Sequence, residues 1–172
     1  MKQVVKQLAG GTLAVTLGLT LTLGLSACAS LGSLFGPDAV VKVQEVGRAQ
    51  VCAAQNGNAS VQRFASADAV LAWQNSSGVT LIGEQAMLPG EYALVEMGQR
   101  GTGGYGFVIA PEAEIESDVV RLRATFFEPT ADTIATQALT SPCVLVRLPP
   151  GSWRGVEVYD QNGKRRARAL QP

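Results

Sequence analysis

Residues 98–109 read GQRGTGGYGFVI. Gly101, Gly103 and Gly106 satisfy the G-x-G-x-x-G spacing of a dinucleotide phosphate loop, and the fold class turns on whether that reading holds. A phosphate loop follows a strand and opens a helix, because helix amides and the helix dipole hold the pyrophosphate. Tyr105 to Ala110 is instead aromatic, β-branched and alternating, and Pro111 follows. No parallel βαβ pattern surrounds it. The stretch therefore predicts a glycine-rich turn joining a strand over Glu91–Gln99 to one over Gly104–Ala110, with no nucleotide bound.

The rest of the chain agrees with a two-residue period. Val120, Leu122, Ala124 and Phe126 alternate with Arg121, Arg123 and Thr125, the pattern of a half-buried strand. Val144, Val146 and Leu148 alternate with Leu145 and Arg147, and Val156 and Val158 with Glu157 and Tyr159. Val40 to Val51 reads as a further strand. One segment departs: Ser66 caps a helix, Asp68 suits its first turn, Val70, Leu71 and Gln74 follow helical spacing, and Gly78 stops it. Asn162-Gly163 signals a type I′ hairpin, and Pro89-Gly90 and Pro149-Pro150-Gly151 mark turns. Six to eight short strands and one short helix predict a mainly β fold, an antiparallel β-sandwich or partly open barrel.

The N-terminus is a separate problem. Lys2 and Lys6 precede an uncharged run from Leu8 to Leu25, the layout of an export signal. Its ending, Leu25-Ser26-Ala27-Cys28, resembles the lipobox of bacterial lipoproteins. That resemblance implies a signal peptide over 1–27 and a diacylglyceryl group on Cys28, which supplies the thiolate nucleophile. Several acyl chains on one cysteine anchor stably where a single chain does not. Residues 28–37 form a lipidated Gly/Ser tether, and 38–172 the β domain. Ala29 in place of Asp after the cysteine resembles the sorting class of outer-membrane lipoproteins in a Gram-negative host. The expected location is thus the cell envelope, outer membrane, facing the periplasm.

Composition narrows the chemistry. Loss of the signal removes Lys2 and Lys6 and no acid, leaving the remainder two charges negative, which gives no footprint for nucleic acid. Cys52 and Cys143 then form an even pair in an oxidising compartment. A disulfide between them would close a loop of about 90 residues; two buried free thiols are the alternative. The chain has no histidine, which removes Ser-His-Asp and Cys-His mechanisms, and no cluster has zinc spacing. No cofactor or metal is expected. Glu112, Glu114 and Glu116 alternate as a solvated face. Lys164, Arg165, Arg166 and Arg168 read as a charged edge strand, with anionic lipid as the other reading.

Two short motifs carry a family resemblance. Thr102-Gly103-Gly104-Tyr105, four residues after Gly98, and Thr140-Ser141-Pro142 before a strand resemble the C-terminal domain of PrcB-type proteins, over roughly Val61 to Leu148. Leu81–Glu91 departs from the family pattern, which has a more hydrophobic strand there. The resemblance implies a lipid-anchored accessory protein, named for a lipoprotein that stabilises a surface protease complex, and not an enzyme. The bare backbone of Gly101, Gly103 and Gly104 beside Thr102 and Tyr105 then reads as a partner-binding turn. Two alternatives remain open. The T-G-G-Y turn resembles a loop of chagasin-type protease inhibitors, with Trp153-Arg154 loosely matching that family's Trp-bearing loop. A structural lipoprotein binding lipid or peptidoglycan is the third reading.

Overall fold

In the computed structural model the described residues are 37–54, 56–83, 87–130, 132 and 134–171. The signal segment 1–27, Cys28 and all of the tether but Pro37 lie outside them. Among the described residues there are nine strands and one helix, arranged as two sheets with no closed barrel. No helix among them is long and apolar enough to cross a membrane.

The strands are β1 (Ala39–Lys42), β2 (Gln44–Ala49), β3 (Ser60–Phe64), β4 (Tyr92–Glu96), β5 (Gly106–Glu116), β6 (Val119–Phe127), β7 (Cys143–Arg147), β8 (Gly155–Tyr159) and β9 (Arg165–Leu170), with helix α1 (Ala67–Ser77) after β3. One sheet has the order β1-β5-β6-β8-β9, the other β2-β7-β4-β3. All pairs are antiparallel except β6–β8, so the sandwich is not purely antiparallel. The strand expected over Val40–Val51 breaks at buried Val43, whose amide donates to the Pro111 carbonyl at 2.9 Å. There the chain leaves one sheet and enters the other.

The alternation read from the sequence fills the space between the sheets. Val120, Leu122, Ala124 and Phe126 are buried there with Ala93, Val95, Met97, Val144, Val146 and Val158. Each fully buried aliphatic side chain contributes about 1.5–3 kcal/mol. The opposite face of the second sheet is also covered. Phe64, Tyr92, Leu94 and Leu145 pack there under Val70 of α1 and under Leu81 and Ile82. Leu145, placed by alternation opposite the core, is therefore fully buried. A third layer explains it.

Local chemistry sets the connections. The Ser66 hydroxyl accepts from the Ala69 amide at 3.2 Å, and Gly78 ends α1 at φ 70°. Gln74 then holds the next segment: its side-chain oxygen accepts from Leu81 and Ile82 amides at 2.9 and 3.0 Å. β5 does not stop before Pro111. It runs on to Glu116 through a register shift between Ile109 and Ala113, where a proline needs no ladder amide. The hairpin at Asn162-Gly163 forms, but only Gly163 has positive φ. Its geometry is a three-residue loop with glycine at the left-handed position, not type I′. The two-residue turn with both φ positive is Ser117-Asp118, at 51° and 61°.

Candidate functional site

The Gly98–Tyr105 segment does not join neighbouring strands of one sheet. It carries the chain from β4 in one sheet to β5 in the other, so it forms one end of the sandwich. Its anchor is Arg100. The guanidinium donates to the carbonyls of Gly57 and Met97 at 2.7 and 2.9 Å and lies 5.6 Å from the Tyr105 ring centroid. Backbone bonds run both ways between Arg100 and Thr140, at 2.7 and 3.0 Å. The Thr140 hydroxyl donates to the Thr102 carbonyl at 3.0 Å, and Met97 donates to Pro142 at 2.8 Å. The two motifs noted in the sequence, 38 residues apart, are therefore hydrogen-bonded neighbours.

The glycines separate by what surrounds each. Gly98 has φ 84°, and a Cβ there would sit 2.5 Å from the Asn58 carbonyl oxygen. Gly104 has φ 83° and faces Pro129. Gly103 is buried, donates to the Thr136 carbonyl at 2.8 Å, and a Cβ would overlap the Thr136 hydroxyl. These three serve the protein's own packing. Gly101 is different: it is exposed, its φ is not positive, and a Cβ would meet nothing within 4 Å. Thr102 and Tyr105 are half-buried, with Tyr105 packed against the core.

The loop between β6 and β7 lies against this segment and ends at Thr140-Ser141-Pro142. Leu139 is 65% exposed, and Val51, bridged to Ser141, is 61% exposed. Cys52 and Cys143 form the disulfide, with Cα atoms 6.1 Å apart across a separation of 91 residues. Beside it Glu96, buried, accepts from the Ala54 amide at 3.0 Å and the Ser60 hydroxyl at 3.1 Å. Loop 50–59 is thus pinned to the site by a covalent bond, a carboxylate and Arg100. Glu96 carried no signal in the sequence and Ser141 only its place in the Thr140-Ser141-Pro142 motif, since the partners of both are distant in the chain.

Other singled-out residues lie elsewhere. Trp153 donates to the Pro149 carbonyl at 2.8 Å and packs against the core, a plug beside its turn. The basic cluster is on β9, an edge strand. Arg165 and Arg168 meet the buried carboxylate of Glu157 at 3.0 and 3.1 Å, and Arg166 meets Asp160 at 3.3 Å. Burial raises the Glu157 pKa, but the Tyr159 hydroxyl and the charges of Arg165 and Arg168 outweigh it and hold the carboxyl below its usual value. Glu112, Glu114 and Glu116 share the outer face of β5, alternating with buried Ala113 and Ile115, and on that solvated face Glu114 pairs with Arg123 and Glu116 with Arg121. Cys28 lies outside the described residues.

Residues 92–149 match the model of the PrcB C-terminal family. The match covers about a third of the chain and contains both motifs and the whole β4–β5 crossover. It bears out the PrcB-type resemblance read from those motifs. No match is found among curated proteins or among solved structures.

Proposed function

We propose that this protein is a non-enzymatic, lipid-anchored component of the bacterial cell envelope that works by binding another protein, and that the partner is a secreted or surface protease or another envelope complex. The observation that carries this reading is the PrcB C-terminal match over residues 92–149, because that segment builds the end of the sandwich where the partner-binding turn is expected. Lipidation at Cys28 and placement in the outer membrane rest on the lipobox.

Within that end, the contact centres on Gly101, Thr102 and Tyr105, flanked by Leu139 and Val51. Gly101 is unclaimed by internal packing, and exposed apolar side chains beside it suit a protein interface. Gly103 and Gly104 support the contact by shaping the backbone. Arg100, the disulfide and Glu96 hold the surface rigid, so little conformational entropy is lost on binding.

Affinity capture from native envelope extract tests the reading, comparing Ala29–Pro172 with its Thr102→Ala/Tyr105→Ala variant by mass spectrometry. A protease enriched only by the unchanged domain is expected. Equal enrichment by both versions removes the turn as the contact, and capture of no protein removes the binding role.

A further inference from the structure

The two long sides of the sandwich are not alike. On one side the chain itself passes from β1 into β2 through Val43, stitching the sheets together. On the other side β3 and β9 lie next to each other, each hydrogen-bonded on one side only. Between them runs a groove of about 460 Å³, with Val61, Phe64 and Leu170 among its lining residues and Arg63 and Glu91 in its wall.

Edge strands carry devices that stop them pairing with other chains. Among the described residues all four edges have one, but of unequal strength. β1 is four residues long and ends in Lys42; β2 has a bulge between Glu45 and Gly47; β9 carries Arg165, Arg166 and Arg168. β3 has only the inward-turned charge of Arg63, whose side chain is 12% exposed; its register with β4 is unbroken from Ser60 to Phe64, and it holds no proline or lysine.

The charges at this groove are unbalanced. Arg63 gives one nitrogen to Glu91 at 2.6 Å, while its Nε and Nη1 are buried without a partner. An adjoining hollow shares Ala65 and Glu91 with the groove and adds Arg147, whose Nε is likewise unpartnered. Two guanidiniums thus stand beside one carboxylate. Buried donors left unmade are costly, and a charged acceptor is the strongest remedy.

We propose that the β3–β9 groove receives an extended, carboxylate-bearing segment of a partner polypeptide, which adds as a strand to the free edge of β3 and accepts hydrogen bonds from Arg63. Main-chain bonds to the edge supply affinity, and the acid supplies selectivity. The site is separate from the Gly101–Tyr105 end and does not depend on it.

The test uses the detergent-solubilised full chain and a fluorescent pentapeptide, acetyl-Thr-Val-Asp-Val-Thr-amide, titrated to about 1 mM. Saturable binding is expected, with ¹⁵N amide shifts confined to residues 60–65 and 165–171. Replacing Asp by Lys in the peptide, or Arg63→Gln in the protein, weakens binding roughly tenfold. Methylating every peptide amide abolishes it. The Thr102→Ala/Tyr105→Ala variant binds the peptide unchanged, which keeps this site apart from the one proposed above. Absence of binding, shifts elsewhere, equal binding of the Asp and Lys peptides, or binding of the methylated peptide each overturns the proposal. Sedimentation showing that the chain dimerises through this edge overturns it too, since the occupant is then a second copy.

Discussion

Ser141 holds Cys52 through one hydroxyl: it donates to the Cys52 carbonyl at 2.8 Å and accepts from the Cys52 amide at 2.8 Å. The clasp is buried, and it sits two residues before the disulfide partner Cys143. Ser141→Ala therefore strips a buried carbonyl of its donor, while the amide keeps the Ser141 carbonyl at 3.0 Å. The expected loss is about 1–3 kcal/mol of unfolding free energy in urea titration. A midpoint equal to that of the unchanged protein would show that water replaces the hydroxyl at no cost.

The disulfide closes a loop of 91 residues, and both cysteines are buried. In the chain-entropy model a loop of that length contributes about 4–5 kcal/mol, through the unfolded state. Cys52→Ala/Cys143→Ala should lower the urea midpoint accordingly while leaving far-ultraviolet circular dichroism unchanged at zero denaturant. A loss below about 1 kcal/mol would place the cross-link outside that model.

Gly98 and Gly101 are three residues apart and predict opposite outcomes. Alanine at 98 must adopt φ 84° and lies within 2.8 Å of the carbonyl oxygens of both Asn56 and Asn58, backbone atoms that move only with loop 50–59. Left-handed strain and overlap together cost about 2–4 kcal/mol. Alanine at 101 meets open space and should change stability by less than about 0.5 kcal/mol. Thermal melts of the two variants check the pair. If Gly101→Ala also destabilises strongly, that glycine belongs to the fold and is no longer a free surface.

How much of this was legible follows from distance along the chain. The Val120–Phe126 alternation, the Ser66 cap and the Gly78 stop are local, and each was readable. β3 was not: Ser60 to Phe64 has one apolar residue for each face, Val61 and Phe64, too few to show a period. Leu145 misled because alternation assumes one wet face, whereas the opposite sheet covers one face of β7 and α1 with Leu81 covers the other. At the site, the T-G-G-Y and T-S-P motifs were visible, but their contact was not, and neither were the roles of Gly98 and Gly103. Those depend on Asn56, Asn58 and Thr136, which the fold alone brings near.

Glu157 ties the outer face of its sheet to acid stability. Its carboxyl is held below the usual value in the fold, so the folded state favours the ionised form. That contribution is fully present above the unfolded pKa, about 4.3, and is lost as pH falls through the lower folded pKa. Urea midpoints from pH 6 downward should fall below about pH 5. Glu157→Gln should be less stable at neutral pH, where Arg165 and Arg168 lose their shared partner, and should show a flatter acid limb. Parallel limbs for the two proteins would assign the acid sensitivity to other carboxylates, Asp160 first, since its carboxyl is also depressed, burial being outweighed by the Lys164 and Asn162 amides and Arg166.

The β5–β6 hairpin offers the opposite sign of change. Ser117 and Asp118 both hold positive φ, 51° and 61°, the geometry of a type I′ turn, for which Asn-Gly is the preferred pair. The strain is tolerated because the flanking ladder pairs Glu116 with Val119 and Ile115 with Val120. Backbone contacts hold the turn as well: Asp38 accepts from the Ser117 amide at 2.8 Å and the Asp118 carbonyl accepts from Arg154 at 2.8 Å. None of these uses the Ser117 or Asp118 side chain. Ser117→Asn/Asp118→Gly relieves the left-handed penalty at a cost in unfolded-state entropy. A net gain of about 0.5–1 kcal/mol is expected, read as a higher melting temperature with unchanged peptide binding at β3. A lower melting temperature would mean that the native side chains stabilise the turn through local bonds that asparagine and glycine do not reproduce.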